Sequence, residues 1–404
     1  MNPCELEIAL FCHGLRVADD ASLEGSRSIS RTRAGLGSGL ELVIPGDRFH
    51  KPAIWVNAPV AEPFAQRSRF VLRGSPEQGY LVTDDEEGAT YRVDLPREPA
   101  WYARHTTAGT PMQRVGVLQG TYLGIYVNPV CAFWNYQPAL NCRFCTTGCN
   151  VGNAESPVKT VADVVETCRA ARQESGITFV HLNGGFQGRR GIEFAEPYIR
   201  AIKEEVGLLV GLQLTPEADL TRYDRLIEVG VDHVSICLEF FDAEWFANIC
   251  PGKARTLGQK LFFRALEYCA ERMPRGSVSG EIIAGVEPID CTIQAIDYIT
   301  SLGAFPTVCI FRPTAGSDMQ DWPPPDEGDM RRVMAHVYRA CRRHWIPIGA
   351  APNIEVSIVV NPDDTAYLAD PGVHTLTYEL YRRALKVAAA PLFKRRMRRR
   401  RAAA

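Results

Sequence analysis

From residue 116 onward the chain keeps one rhythm, in which short apolar runs alternate with longer stretches of helical periodicity. The runs are 121–127 (TYLGIYV), 178–183 (TFVHLN), 208–214 (LLVGLQL), 231–238 (VDHVSICL), 277–286 (SVSGEIIAGV), 306–311 (PTVCIF) and 354–360 (IEVSIVV). Helical patterns occupy 159–175, 194–205, 218–229, 257–272, 291–302 and 327–344. A strand, then a helix, then another strand builds a parallel sheet through right-handed crossovers, because a parallel neighbour cannot be reached by a tight turn. The expected fold class is therefore α/β, a complete or partial (βα)8 TIM-type barrel. No internal repeat of solenoid length is present.

Residues 1–115 read differently. Phe70-Val71-Leu72, Gly79–Val82 and Ala89–Val93 alternate apolar and polar positions, and Gly74-Ser75-Pro76 and Asp84–Gly88 separate them, as in a β-meander. The stretch Gly35–Gly39 has glycines like those of a dinucleotide loop but lacks the helix and frame of that motif, so it reads as a flexible loop. The expected division is a β-rich N-terminal domain at 1–115, a barrel at 116–360 and a C-terminal extension at 361–404 ending in a disordered basic tail. At 46% hydrophobic and 23% charged residues the composition excludes wholesale disorder. No run approaches the ~18–20 apolar residues of a membrane span. Nor does the N-terminus show a secretory pattern, so a cytoplasmic location is expected.

The net charge of −2 hides an asymmetry. Residues 394–401 (KRRMRRRR) carry seven Lys or Arg; without them 38 basic residues face 47 acidic ones, a body near −9. Such a body offers no general field for nucleic acid.

Thirteen cysteines are many for such a chain, and an odd number in a reducing setting argues against a disulfide framework. Nine stand singly, while Cys131, Cys142, Cys145 and Cys149 fall within nineteen residues after the first barrel strand. In a parallel barrel that position is the C-terminal mouth, where active-site loops gather. Zinc sites favour two separated CxxC knuckles. Here one CxxC follows a distant cysteine, a spacing that suits an iron–sulfur cluster better.

Cys142-Arg143-Phe144-Cys145 follows a strand and has an aromatic residue before its last cysteine. It resembles the cluster loop of radical S-adenosylmethionine (radical SAM) enzymes, although the family's usual CxxxCxxC becomes Cx10Cx2C here. The barrel is most like the biotin synthase branch. The resemblance implies a [4Fe–4S] cluster on Cys131, Cys142 and Cys145, with Cys149 as alternative ligand, and S-adenosylmethionine as second cofactor. Phe144 belongs to the cluster loop. Asn183-Gly184-Gly185 matches the glycine motif for the methionyl ammonium, and Glu239, in the segment CLEFFDAEWFANI, holds the place of the ribose-binding acid. Lys260 or Arg255 would meet the methionyl carboxylate. Val286 closes a segment resembling the strand that lies along adenine.

The implied activity is reductive cleavage of S-adenosylmethionine to methionine and a 5′-deoxyadenosyl radical, which abstracts hydrogen from a small molecule. The expected outcome is rearrangement, cleavage, cyclisation or dehydrogenation, in an oxygen-sensitive enzyme served by a flavodoxin- or ferredoxin-type electron donor. Sulfur insertion is less expected, since Val278 stands where the branch has a cysteine. Two readings stay open: action on RNA or peptide, and a zinc-stabilised structural or binding protein. His181 and His233 read as core histidines. Gln213, Thr215, Glu217, Arg312, Asn353 and Glu355 read as polar residues facing the mouth, roofed by 1–115 or 345–390.

Overall fold

A computed structural model describes residues 1–27, 39–47, 49–188 and 190–398. The stretch 35–38 and the arginines at 399–401 lie outside them. The N-terminal part contains α1 (Pro3–His13), β1 (Arg16–Val17), β2 (Gly39–Pro45), β3 (Ala53–Pro59), β4 (Phe70–Ser75), β5 (Gly79–Asp84) and β6 (Thr90–Val93). Strands β4–β6 form the expected antiparallel meander, joined by β1 parallel to β4. Strands β2 and β3 make a separate antiparallel ladder.

Helix α1 had no sequence expectation. It starts at a capping box in which Asn2 Oδ1 accepts from the Glu5 N–H at 3.0 Å and the Glu5 carboxylate accepts from the Asn2 N–H at 2.8 Å. Leu6, Ile8, Ala9, Leu10, Phe11 and Cys12 are all buried. A helix buried all round lacks the apolar stripe by which an amphipathic helix is recognised.

Next come α2 (Met112–Val115), β7 (Val117–Gln119), β8 (Tyr122–Tyr126), α3 (Thr147–Asn150), α4 (Val161–Ser175), β9 (Phe179–Asn183), α5 (Gly191–Ala201) and β10 (Leu209–Gln213). They continue through α6 (Arg222–Val229), β11 (His233–Glu239), α7 (Ala243–Ile249), α8 (Pro251–Thr256), α9 (Gln259–Arg272), β12 (Val278–Ala284), α10 (Ile289–Ser301), β13 (Phe305–Ile310), α11 (Glu327–Arg343) and α12 (Val373–Arg396). Seven strands form one sheet in the order β7 to β13, with β8 to β13 parallel and β7 antiparallel at the edge. The edge strands β7 and β13 do not pair, so this is a partial barrel.

Period-two alternation divides each strand. Val180, Leu182, Val210, Leu212, Val234, Ile236, Leu238, Val278 and Ile282 join the main core. On the alternate face, at the start of the strands, aromatic rings fill the interior. Phe179 and His181 stack at 5.7 Å, His233 and Phe305 at 5.5 Å, and Tyr122 lies 5.8 Å from Phe179. Gly211 makes room for this plug, since a Cβ there would stand 2.3 Å from Phe179 and 2.7 Å from His181. Burial pushes His233 down to about 4 against the opposing bond from the Ser277 carbonyl, so it is a neutral core histidine, as expected.

The run 354–360 is not a strand. Asn361 accepts from the Val356 N–H at 3.0 Å and donates to the Val356 carbonyl at 3.1 Å, and these bonds hold the segment as a turn. It lies under the strand starts: Thr121 Oγ1 donates to the Asn353 carbonyl at 3.0 Å and Thr178 Oγ1 to the Pro352 carbonyl at 2.6 Å. Asn353 and Glu355 therefore sit at the end opposite the mouth. The start of 345–390 sits there too, rather than roofing the mouth. Phe393 and Met397 of the C-terminal stretch pack on Tyr122, Phe179 and Leu209 at the same end. Lys394, Arg395 and Arg396, expected in a disordered tail, close α12 instead.

The N-terminal ladder reaches both borders of the open sheet. The Gly120 N–H, between β7 and β8, donates to Glu41 of β2 at 2.7 Å. Arg312, just past β13, donates to the Asn57 carbonyl of β3 at 2.5 Å and to its Oδ1 at 3.3 Å.

Candidate functional site

The C-terminal ends of the parallel strands surround a cleft of about 1010 Å³, counting the solvent at its mouth. Cys131, Cys142, Phe144 and Cys145 line it together with Asn183, Gly184, Gly185 and Glu239. Sites scattered over 109 residues of sequence thus meet in one place, because each follows or ends a strand of the same sheet.

The cysteine loop leaves β8 and is fixed at several points. The Ala132 N–H donates to the Phe186 carbonyl at 2.9 Å, and Phe133 stacks on Phe186 at 4.4 Å. A turn carries the Cys145 N–H to the Cys142 carbonyl at 3.0 Å. The Thr147 N–H then donates to Cys145 Sγ at 3.5 Å, with Thr147 Oγ1 3.1 Å from that sulfur. Burial pushes the Cys145 thiol up to about 12, with Cys142 and Cys131 adding to the rise. Burial likewise raises Cys131, whose sulfur also feels Cys142. The three thiols therefore share one electrostatic neighbourhood. Cys149 does not belong to it: its side chain is exposed, with Sγ 3.9 Å from the Gly316 carbonyl.

These residues fit an iron–sulfur cluster. Three thiols face one cleft, backbone amides of Phe133 and Phe186 point at Cys131, and Asn183 Oδ1 is shielded from solvent without a donor. Among the described residues no three His, Cys, Asp or Glu side chains converge tightly enough for a lone metal ion. Zinc needs its sulfurs ~2.3 Å from one centre, whereas a cluster spreads its ligands around several irons.

The two glycines have a steric reason. A Cβ on Gly185 would stand 2.5 Å from Cys131 Cβ and 2.7 Å from Tyr126 Oη, and one on Gly184 would stand 2.6 Å from Leu214. The Gly185 carbonyl accepts from Asn128 Nδ2 at 3.3 Å, and its N–H donates to Tyr126 Oη at 2.9 Å. Gly185→Ala should therefore displace the cysteine loop, at a cost of about 1–3 kcal/mol. Iron uptake and melting temperature should both fall. Gly191→Ala, whose Cβ meets nothing nearer than 3.9 Å, is the control; equal behaviour of the two would refute the steric account.

Glu239 ends β11 at a register shift and holds φ at 63°, a left-handed conformation that disfavours non-glycine residues. The bulge aims its buried carboxylate into the cleft, where it forms an ion pair with Lys253. Burial opposes the Lys253 charge, but Glu239 and the thiols of Cys142, Cys237 and Cys250 outweigh it and raise the ammonium well above its ordinary value. Lys253 comes close because Gly252 lets α8 press on the cysteine loop. Its N–H donates to the Leu140 carbonyl at 3.0 Å, where a Cβ would stand 2.4 Å from that oxygen.

Other expected residues are elsewhere. Arg255 and Lys260 point to solvent on α8 and α9, outside the cleft. Val286 is half-buried in the turn after β12 and packs on the main core. Gln213, Thr215 and Arg312 do line the cleft. Glu217 instead caps α5, accepting from the Ile192 N–H at 2.9 Å.

Sequence reasoning missed Lys253 and Glu281, and it left Cys237 and Cys309 among the nine single cysteines without a role. All four line the cleft. Gln213 Nε2 donates to Glu281 at 2.5 Å and lies 3.0 Å from Cys237 Sγ. Burial, with the Glu239 charge nearby, pushes Glu281 up to about 7. The signal for these residues was strand parity: positions 237, 281 and 309 share the inward parity of 239 and 283.

No protein-family model matches the chain. It is 21% identical over 215 residues to the bacteriochlorophyllide c C-7(1)-hydroxylase of Chlorobaculum limnaeum, spanning 48% of this chain and 53%, about half, of that relative. Among solved structures it is similar to a radical SAM methyltransferase from Sphaerobacter thermophilus (TM-score 0.41, 14% identity, 67% of this chain and 75% of that one). It is also similar to the coproporphyrinogen III oxidase HemN of Escherichia coli, described as a radical SAM enzyme (TM-score 0.37, 16% identity, 54% of this chain and 52% of that one).

Proposed function

We propose that this chain, whose structural neighbours include radical SAM enzymes, is itself a radical SAM enzyme acting on a small-molecule substrate. One observation carries the reading: three loop thiols, a two-glycine turn and a buried acid–lysine pair share one cleft at the C-terminal ends of a partial parallel barrel. When bound, a reduced [4Fe–4S] cluster supplies the electron that splits S-adenosylmethionine into methionine and a 5′-deoxyadenosyl radical competent to abstract hydrogen.

Cys131, Cys142 and Cys145 would hold the cluster. Lys253, already beside the thiols and charged, takes the role the resemblance gave to Lys260 or Arg255, namely to meet the methionyl carboxylate. Glu239, relieved of part of its pairing, accepts hydrogen bonds from ribose hydroxyls, and Asn183 offers its unpartnered oxygen to the methionyl ammonium. The cleft walls Phe133, Phe144 and Phe186 exclude water from the reacting carbon. Gln213, Glu281 and Cys237 would face the substrate. An electron donor of flavodoxin or ferredoxin type and a cytoplasmic setting complete the proposal. Among the described residues no helix is long and apolar enough to cross a membrane.

Anaerobic reconstitution tests it. The expected result is about four irons per chain, a brown colour bleached by dithionite, and 5′-deoxyadenosine formed from S-adenosylmethionine. Colourless protein with stoichiometric zinc overturns it.

Glu281 adds a pH signature. Its folded value lies near 7 against 4.5, so the folded state binds a proton that the unfolded chain releases earlier. Stability from this group is fully present below about pH 4 and is lost as the pH rises to 7, by at most about 3 kcal/mol. In Glu281→Gln the melting temperature should fall less between pH 5 and 8 than in the unaltered protein. Parallel curves would dissociate Glu281 from that loss.

A further inference from the structure

We propose that α12 is a docking helix for an anionic lipid surface. Its inner face is consumed by the fold. Tyr378 is buried and its hydroxyl donates to the Ile346 carbonyl at 2.5 Å; Arg382 Nε donates to the Ile348 carbonyl at 3.1 Å; Arg396 pairs with Asp232 at 2.7 Å. Together with Phe393 and Met397 on the barrel floor, these contacts fix the helix across the end opposite the cleft.

Among the described residues the apolar stripe on its outer face has no such partner. Val373, Leu376, Leu380 and Val387 recur at intervals of three, four and seven, which places them on one stripe. They are 78%, 62%, 57% and 77% exposed. With Leu392, they are five of the eleven large apolar side chains exposed among the described residues, so the helix concentrates what elsewhere is scattered.

Charge names the occupant. From Val373 to the end the sequence carries ten Lys or Arg, eight of them besides the inward Arg382 and Arg396, and one acid, Glu379. That carboxylate is already taken by the Tyr338 hydroxyl at 2.8 Å and by Arg382 at 2.7 Å. An apolar stripe bordered and followed by basic residues matches the acyl–headgroup boundary of an anionic bilayer. A nucleic-acid backbone would leave the stripe unused. A second copy would bring two strongly basic helices together. At ~1.5 Å per residue, the 24-residue helix lies flat over about 36 Å. The acidic body turns away from the surface, and the cleft mouth stays open to water.

The test uses the full-length chain and sedimentation with vesicles of phosphatidylcholine alone or with phosphatidylglycerol. Co-sedimentation with the anionic vesicles only, weakening as salt rises, is expected. Leu376→Asp combined with Leu380→Asp should keep the melting temperature and lower vesicle binding at least tenfold. Deleting residues 399–404 should weaken binding and flatten its salt dependence. The proposal is overturned by equal binding to neutral vesicles, by no binding, or by unchanged binding of the double variant. It is also overturned by a solution dimer that the double variant dissolves, or by an oligonucleotide affinity indifferent to the stripe with no vesicle binding.

Discussion

Cys145→Ala should yield a folded but colourless chain that forms 5′-deoxyadenosine only at background level after reconstitution. The sulfur lies in the cleft with Cys131 and Cys142 and accepts from the Thr147 N–H at 3.5 Å, a bond that stabilises a thiolate. Removing one of the three thiols would leave a cluster one anchor short. Cys149→Ala should stay within about twofold of the unaltered chain in iron content and turnover, as expected of a surface change. Cys149 is three residues beyond the Cys145–Thr146 turn, exposed and directed at Gly316. Loss of colour in Cys149→Ala, with retention in Cys145→Ala, would transfer the ligand role. Iron analysis and visible absorbance distinguish these outcomes before any activity is measured.

Glu239→Ala should keep its colour and lose affinity for S-adenosylmethionine by about 10–100-fold. That range corresponds to the ~1.5–3 kcal/mol of a hydrogen bond to a charged group. The change also strands the Lys253 ammonium, and removing one partner of a buried pair costs about 3–5 kcal/mol of stability. Glu239→Gln separates these effects: it keeps the shape at the bulge and an acceptor for ribose, but removes the charge. Its affinity should fall between the unaltered chain and Glu239→Ala. Equilibrium dialysis against reconstituted protein gives the affinities, and thermal melting without ligand gives the stability. Unchanged affinity in both variants would remove Glu239 from the site.

Much of the barrel was legible because its signals are local. The strands at 122–126, 179–183 and 209–213 sit within a residue of the apolar runs that announced them, and α4, α9 and α11 match their helical periods. Where burial is not one-sided, the signal fails. Helix α1 is buried all round, and 354–360 has strand-like composition but is bound into a turn by one side chain, Asn361.

The cleft was legible in its three loop cysteines and two glycines, which are spaced closely along the chain, but not in its buried lysine. Arg255 and Lys260 were the natural basic choices from order along the chain. Yet on a helix a shift of two residues turns a side chain by about 200°, and Lys253 is the one on the inward side.

What the sequence alone determined is the α/β order, and with it a parallel sheet whose loops all open at one end. Periodicity and connection length are properties of short segments, and crossover handedness does the rest. It also placed three thiols on the loop that leaves the first parallel strand. The tertiary structure decided which side chains meet. It seated Lys253 rather than Arg255 or Lys260 against Glu239, brought Glu281, Cys237 and Cys309 together in the cleft, and sent Asn353 and Glu355 to the far end. Those outcomes depend on where Gly252 allows α8 to touch the cysteine loop, on the bulge at Glu239 and on the tilt of neighbouring strands. Contacts between residues distant in sequence set such positions, and no single segment encodes them.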